Sequence, residues 1–338
     1  MKSKIPIRLI ILALFGMGAT WALSHVDWGD LQRRILGASP LYLSLMLAVW
    51  VVSLFLRPLR FRYLLRILSQ RTHVPYIQVW ATNTLGMAVN SFTAMRAGDV
   101  VSALLLRHRL GIDVHRSLTV IAADALCDFV CVSLLFLSAL SFAPVSAAWA
   151  GQAKTAIAIA IFIVVAGVAI AIPLRHRLLV LVDLLLRRFD VPWGERLQEI
   201  VHDVAEAASA IAHWRVCLPL ILFTGLIWIT IGLSYWFGMR AVFIEPSVAS
   251  ASFAMAAVAL SFIVPLGPGG LGAFEAAVVV ALALFDVPLE AAIPFAIIAH
   301  AIQLGSALLL AAIVVITQKI DYRSLVTAAE KPGATLGP

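Results

Sequence analysis

Apolar runs about as long as a bilayer is thick recur along this chain, and they constrain its fold more than any other feature. A helix needs about 20 apolar residues to cross the hydrocarbon core. Runs that reach or approach that length are Ile5–Leu23, Leu41–Leu56, Ser117–Phe142, Thr155–Leu174, Val216–Gly238 and Ala291–Thr317. Only 13% of the 338 residues are charged and 62% are hydrophobic, whereas soluble domains carry about 25% charged residues. The sequence therefore reads as an all-α polytopic membrane protein with about six full spans. No polar stretch is long enough for a soluble domain.

Two further segments read as broken helices. Val79–Phe92 carries Thr82, Asn83, Thr84, Asn90 and Ser91, then breaks at Arg96–Asp99. Val248–Val264 breaks at the glycine-rich stretch Pro265–Gly272. Each break is followed by a short apolar stretch, Val100–Leu110 or Ala273–Phe285. Helix, turn and short helix is the pattern of a re-entrant hairpin, and irregular backbone at membrane depth needs protein or a watery cavity around it.

Charge sets the expected orientation. Arg57, Arg60, Arg62, Arg66 and Arg71 read as one loop, Arg107, Arg109 and Arg116 as a second, and Arg175 to Arg215 as a third. With both breaks as hairpins, all three loops and both termini lie on the cytoplasmic side, as the positive-inside rule asks of a bacterial-type inner (plasma) membrane protein. Two complete crossings at each break preserve the same parity. Lys2, Lys4 and Arg8 before the first run read as an uncleaved signal anchor. The segment 187–214 has an apolar face of Trp193, Leu197, Ile200, Val201, Val204 and Ala208 and reads as a surface helix or a helical linker; 321–338 reads as a cytoplasmic tail. The net charge of +7 fits basic loops and anionic lipid headgroups; nucleic acid is not an expected partner.

The two breaks resemble each other. Gly98-Asp99, an apolar stretch, Gly111–Val114 and a long helix are paralleled by Gly272–Glu275, an apolar stretch, Phe285–Pro288 and a long helix. The first hairpin opens from the cytoplasm and the second from outside, so 77–142 and 248–317 read as an inverted-topology repeat. Such repeats place discontinuous helices around a site near the bilayer midplane, where the two tips are expected to meet.

Arg96–Leu106, Asp124, Pro268–Ala276 and Val287-Pro288 resemble the lysylphosphatidylglycerol synthase transmembrane, or flippase-like, family over nearly the whole chain. The resemblance implies lipid translocation, or an accessory part beside a synthase in making glycolipids, hopanoids or envelope lipids. It does not imply aminoacyl transfer, which belongs to a separate soluble domain of larger members. Where members commonly carry Arg, this chain has Ser102 in the first motif and His300 in the last helix.

Ionisable groups inside a bilayer cost roughly 2.5–3.5 kcal/mol each on insertion scales and face protein or water. Asp124 and Asp128 lie one turn apart on a helix; they read either as a structural ion pair with Arg96 or Arg107, or as functional carboxylates. Asp99 reads foremost as a helix cap. Arg96, with its planar fork, is the expected contact for an anionic headgroup. Gly267, Gly269, Gly270 and Gly272 allow close backbone approach or positive φ. Glu275 reads as a cap or a proton-coupling carboxylate. His300, one turn from Gln303, reads as a hydrogen-bonded structural residue or as a proton relay with Glu275.

Cys127, Cys131 and Cys217 lack metal or redox spacing, and neither a nucleotide loop nor a nucleophile elbow is present. No metal or cofactor is expected. The favoured reading is a transporter for an anionic or polyprenyl-type lipid. A membrane-embedded lipid-modifying enzyme using Asp124 and Asp128, and a scaffold for a lipid synthase, are the alternatives.

Overall fold

The computed structural model describes residues 28–93, 97–142, 206–207, 209–262 and 268–318, with scattered positions between 152 and 163. Every regular element among the described residues is a helix, and none of them is a strand. In chain order the helices are α1 (Trp28–Leu36), α2 (Pro40–Leu68), α3 (Tyr76–Phe92), α4 (Ala97–Leu110), α5 (Val114–Ser141), α6 (Trp214–Ala241), α7 (Val248–Ser261), α8 (Ala273–Ala283) and α9 (Leu289–Gln318). A 3-10 turn, Pro268–Gly270, precedes α8.

Four helices, α2, α5, α6 and α9, are long and apolar enough to cross a membrane. Their outward faces carry large apolar side chains such as Ile221, Leu222, Ile229 and Leu309, each about 60% exposed or more. In water such a surface would aggregate; in lipid it is the solvated face. This is a multi-pass membrane protein. The expected spans Ile5–Leu23 and Thr155–Leu174, the tail 321–338 and most of 187–214 lie outside the described residues.

One expectation is overturned. Arg57, Arg60, Arg62 and Arg66 do not form a loop: α2 runs unbroken from Pro40 to Leu68, 29 residues. At 1.5 Å per residue it spans about 43 Å, so Arg60 lies roughly 12 Å inside its C-terminal end. The helix continues past its apolar run because the guanidiniums of Arg57, Arg60 and Arg62 find partners within the protein.

The other helices are short. α3, α4, α7 and α8 have 17, 14, 14 and 11 residues, or roughly 17–26 Å each, less than the ~30 Å hydrocarbon core. They pack as two pairs, α3 with α4 and α7 with α8. The first pair is pressed together at Gly98, where an added Cβ would lie 2.0 Å from the Gly86 carbonyl oxygen.

The packing of α2–α5 is mirrored by that of α6–α9. The contacts α2–α3, α2–α5, α3–α4 and α4–α5 have counterparts in α6–α7, α6–α9, α7–α8 and α8–α9. Between the halves, α3 packs on α9 as α7 packs on α5. At the centre α2 and α6 run antiparallel: Ser39 N donates to Ala241 O, Ser234 Oγ to Met46 O and Arg60 to Thr224. The largest buried apolar cluster, with Met46, Tyr235, Phe274 and Phe295 at its heart, spans this seam.

Candidate functional site

The two short-helix pairs converge. Gly269, in the turn before α8, lies against Ser91 near the end of α3: a Cβ added there would be 3.5 Å from the Ser91 carbonyl oxygen. Beside this meeting point is a cavity of about 550 Å³. Asn90, Ser91 and Thr93 line it from the first tip, Gly269, Gly270 and Ala273 from the second. Arg57, Trp228, Tyr235, His300 and Gln303 add polar wall, while Met87, Ile231, Met255 and Val258 make the remainder apolar.

At the first tip the organiser is Asn90. Its Oδ1 accepts from Gly98 N at 2.7 Å, and its Nδ2 donates to Asp99 Oδ1 at 2.9 Å. Asp99, expected as a cap, is the third residue of α4, and the Gly98 N–H beside it is bound by Asn90 of the preceding helix. Sequence reasoning singled out Asn90 only as one polar residue among several. A polar side chain eight residues before a glycine at a helix start is the signal that identifies it.

Glycine conformation shapes the second tip. Gly269, Gly270 and Gly272 have φ of 69°, 68° and 79°, a region that Cβ makes costly for other residues. Glu275 closes the start of α8, accepting from Gly272 N through Oε2 at 2.7 Å. Its other oxygen, Oε1, lies 2.7 Å from His300 Nδ1, and His300 Nε2 lies 2.8 Å from Gly269 O. The imidazole also stacks on Phe274, centroids 4.5 Å apart and planes 14° apart. Glu275 and His300, weighed from sequence as a pair, are in direct contact and together fasten the tip to α9. Gln303 donates to Tyr235 Oη at 3.2 Å.

Asp124 and Asp128 belong to an ion-pair network whose partners differ from the expected Arg96 or Arg107. Arg60 is fully buried. Its Nε donates to Asp124 Oδ1 and its Nη1 to Asp128 Oδ1, both at 2.8 Å. Nη1 also reaches Thr224 Oγ1 at 3.0 Å and Nη2 the Asp124 carbonyl at 3.4 Å. Arg57 adds a second guanidinium, Nη1 at 3.2 Å from Asp128 Oδ2, and lies 5.6 Å over the Trp228 ring. The Trp228 indole N–H donates to Asp128 Oδ1 at 2.9 Å. A buried charge persists only when paired and hydrogen-bonded; two guanidiniums against two carboxylates leave this network neutral.

The two arginines differ in access. Arg60 has no exposed surface, whereas the Arg57 side chain is 28% exposed and lines the cavity. Placing both in a loop concealed them from the sequence reading. Arg57 and Arg60 are three apart on α2 and Asp124 and Asp128 four apart on α5, so each pair shares one helix face; that complementarity is the signal. Arg96 and Gly267 lie outside the described residues.

The family model for the lysylphosphatidylglycerol synthase TM region matches residues 7–311, and the chain belongs to that family. No curated protein matches the chain.

Proposed function

We propose that this member of the lysylphosphatidylglycerol synthase transmembrane family moves or presents a membrane lipid with an anionic headgroup, phospholipid or polyprenyl-type, through the cavity between its two hairpin tips. The observation that carries this reading is Arg57. Its guanidinium lines the cavity, is oriented by Asp128 and Trp228, and among the described residues engages one fork nitrogen, in the Asp128 bond at 3.2 Å. A planar fork with donors to spare suits phosphate or carboxylate oxygens. The apolar remainder of the wall suits the first methylenes of a lipid. Arg96, three residues beyond the cavity-lining Thr93, is in this reading a second headgroup contact.

An inverted repeat underlies the proposed movement. Its boundaries are wider than the short-helix pairs suggest: α2–α5 form one unit and α6–α9 the other. The matched packing of the units and the antiparallel run of α2 against α6 support a two-fold axis in the membrane plane. The short-helix pairs are then re-entrant from opposite faces. Both termini lie in the cytoplasm, and the host is a bacterial-type inner membrane. Rocking one unit against the other alternates access to the cavity.

The enzyme reading makes Asp124 and Asp128 an acid–base pair or cation ligands. Their engagement with Arg57, Arg60 and Trp228 favours a structural role instead. Lipid movement is tested by reconstituting the protein into vesicles with a fluorescent acidic phospholipid in one leaflet and following its loss to an external quencher. Equal rates with and without protein would contradict the proposal.

A further inference from the structure

We propose that Glu275 and His300 form a proton-binding site whose occupancy fastens the second hairpin tip, making a proton the ligand coupled to tip movement.

The argument starts from donor and acceptor counting. Gly269 O is an obligate acceptor, so the 2.8 Å contact with His300 Nε2 places a proton on that nitrogen. His300 Nδ1 and Glu275 Oε1 stand 2.7 Å apart. With no proton between them, an imidazole lone pair would face a carboxylate oxygen at that distance, a repulsive arrangement. The seated tip therefore contains one further proton on this axis, whether it resides on the ring or on the carboxyl. Glu275 Oε2 is committed to Gly272 N, and the stack on Phe274 fixes the plane of the ring. Neither partner can turn away without releasing the tip.

Loss of the axial proton sets the two groups against each other. His300 then leaves Gly269 O, and the turn Pro268–Gly270 loses its tie to α9. Because Gly269 abuts Ser91 of the other tip, release opens the place where the two tips meet. A ligand that binds one conformation better shifts the population toward it, so proton and tip position are thermodynamically linked.

The site borders the cavity, giving the proton an aqueous route: the His300 side chain is 7% exposed and that of Glu275 27%. Among the described residues, the titratable groups lining the same cavity are Arg57 from α2 and Tyr235 from α6. Arg57 is paired with Asp128, and Tyr235 accepts from Gln303. From α3, the cavity lining is Met87, Asn90, Ser91 and Thr93, none of them ionisable. The first helix, α1, also packs on α9 and carries Asp30, Arg33 and Arg34; Asp30 is 2.7 Å from Arg34, and none of the three lines the cavity.

That the proton is coupled to lipid movement rests on the lipid-moving reading; the proton site itself does not. The test is hydrogen–deuterium exchange of residues 268–276 in lipid nanodiscs between about pH 6 and 9, corrected for intrinsic exchange. In the wild type, protection of the tip is expected to fall about tenfold across that range. Glu275→Gln supplies a permanent amide donor to Nδ1 and an acceptor for Gly272 N, so its tip is expected to stay protected throughout. His300→Leu is expected to leave the tip unprotected at every pH. A flat wild-type profile, or a Glu275→Gln profile that titrates like the wild type, would overturn the proposal. Should Glu275→Gln fail to insert, the wild-type and His300→Leu profiles decide it: titration that survives in His300→Leu overturns the site. A titrating tip in a protein that moves no lipid would contradict the lipid reading alone; lipid movement with a flat tip would contradict the proton site alone.

Discussion

Arg60 and Asp128, 68 residues apart in sequence, meet at 2.8 Å where Arg60 has no solvent exposure at all. The same carboxylate holds Arg57 at the cavity wall through its other oxygen. One aspartate thus links a guanidinium that holds α2 to α5 with a guanidinium that lines the cavity.

Arg60→Leu is expected to destabilise the protein by about 3–5 kcal/mol, because it leaves Asp124 and Asp128 with one cation between them in a buried setting. Asp124→Asn in the same chain should recover part of that loss by removing the surplus carboxylate. Thermal unfolding in detergent, followed by the tryptophan signal, reads both. Equal stability of Arg60→Leu and wild type would show that the network carries no structural weight.

Gly98→Ala should disrupt the first tip. The added Cβ would fall 2.0 Å from the Gly86 carbonyl oxygen and 2.7 Å from Asn90 Oδ1, and neither backbone nor cap can yield without parting α3 from α4. Overpacking of this kind costs typically about 1–3 kcal/mol. A fall in unfolding temperature, with raised protease sensitivity between residues 90 and 99, is the expected result.

Asn90→Asp separates the two bonds made by that side chain. The carboxylate still accepts from Gly98 N but opposes Asp99, whereas Asn90→Ala loses both contacts. Loss of a helix cap costs about 0.5–2 kcal/mol, so both variants should be less stable than wild type. Only Asn90→Asp should be improved by adding Asp99→Asn, as a double-mutant cycle on unfolding would register.

Trp228→Phe keeps an aromatic face for Arg57 and removes the indole N–H that donates to Asp128. The stability loss should stay near the ~1 kcal/mol of one hydrogen bond, while lipid affinity falls several-fold because Arg57 loses its fixed orientation. Unchanged affinity would mean that Asp128 alone positions the guanidinium.

Much of this architecture was legible from hydropathy. The four described spans correspond to four of the six apolar runs, since lipid demands about 20 apolar residues whatever the side chains do. At the second tip, Glu275 and His300, weighed from sequence as a pair, do meet, because a carboxylate and a lone histidine within apolar surroundings have few other partners; Arg96 and Gly267 lie outside the described residues. Hydropathy stopped short at Leu56: it treats Arg57 and Arg60 as the end of a span, although partners on α5 and α6 let the helix carry them onward. The distant partner was what the window could not contain. The Asn90 bond to Gly98 was hidden for a different reason, since a cap supplied from the preceding helix leaves no pattern within the helix that it caps.

Arg57, and not Arg60, is the proposed contact for the headgroup. Native mass spectrometry of lipids retained by the purified protein, comparing wild type with Arg57→Leu, tests it most directly. One acidic lipid class is expected to be enriched in the wild type and lost from a variant that still folds and inserts. Retention of the same enriched lipid by Arg57→Leu would contradict it.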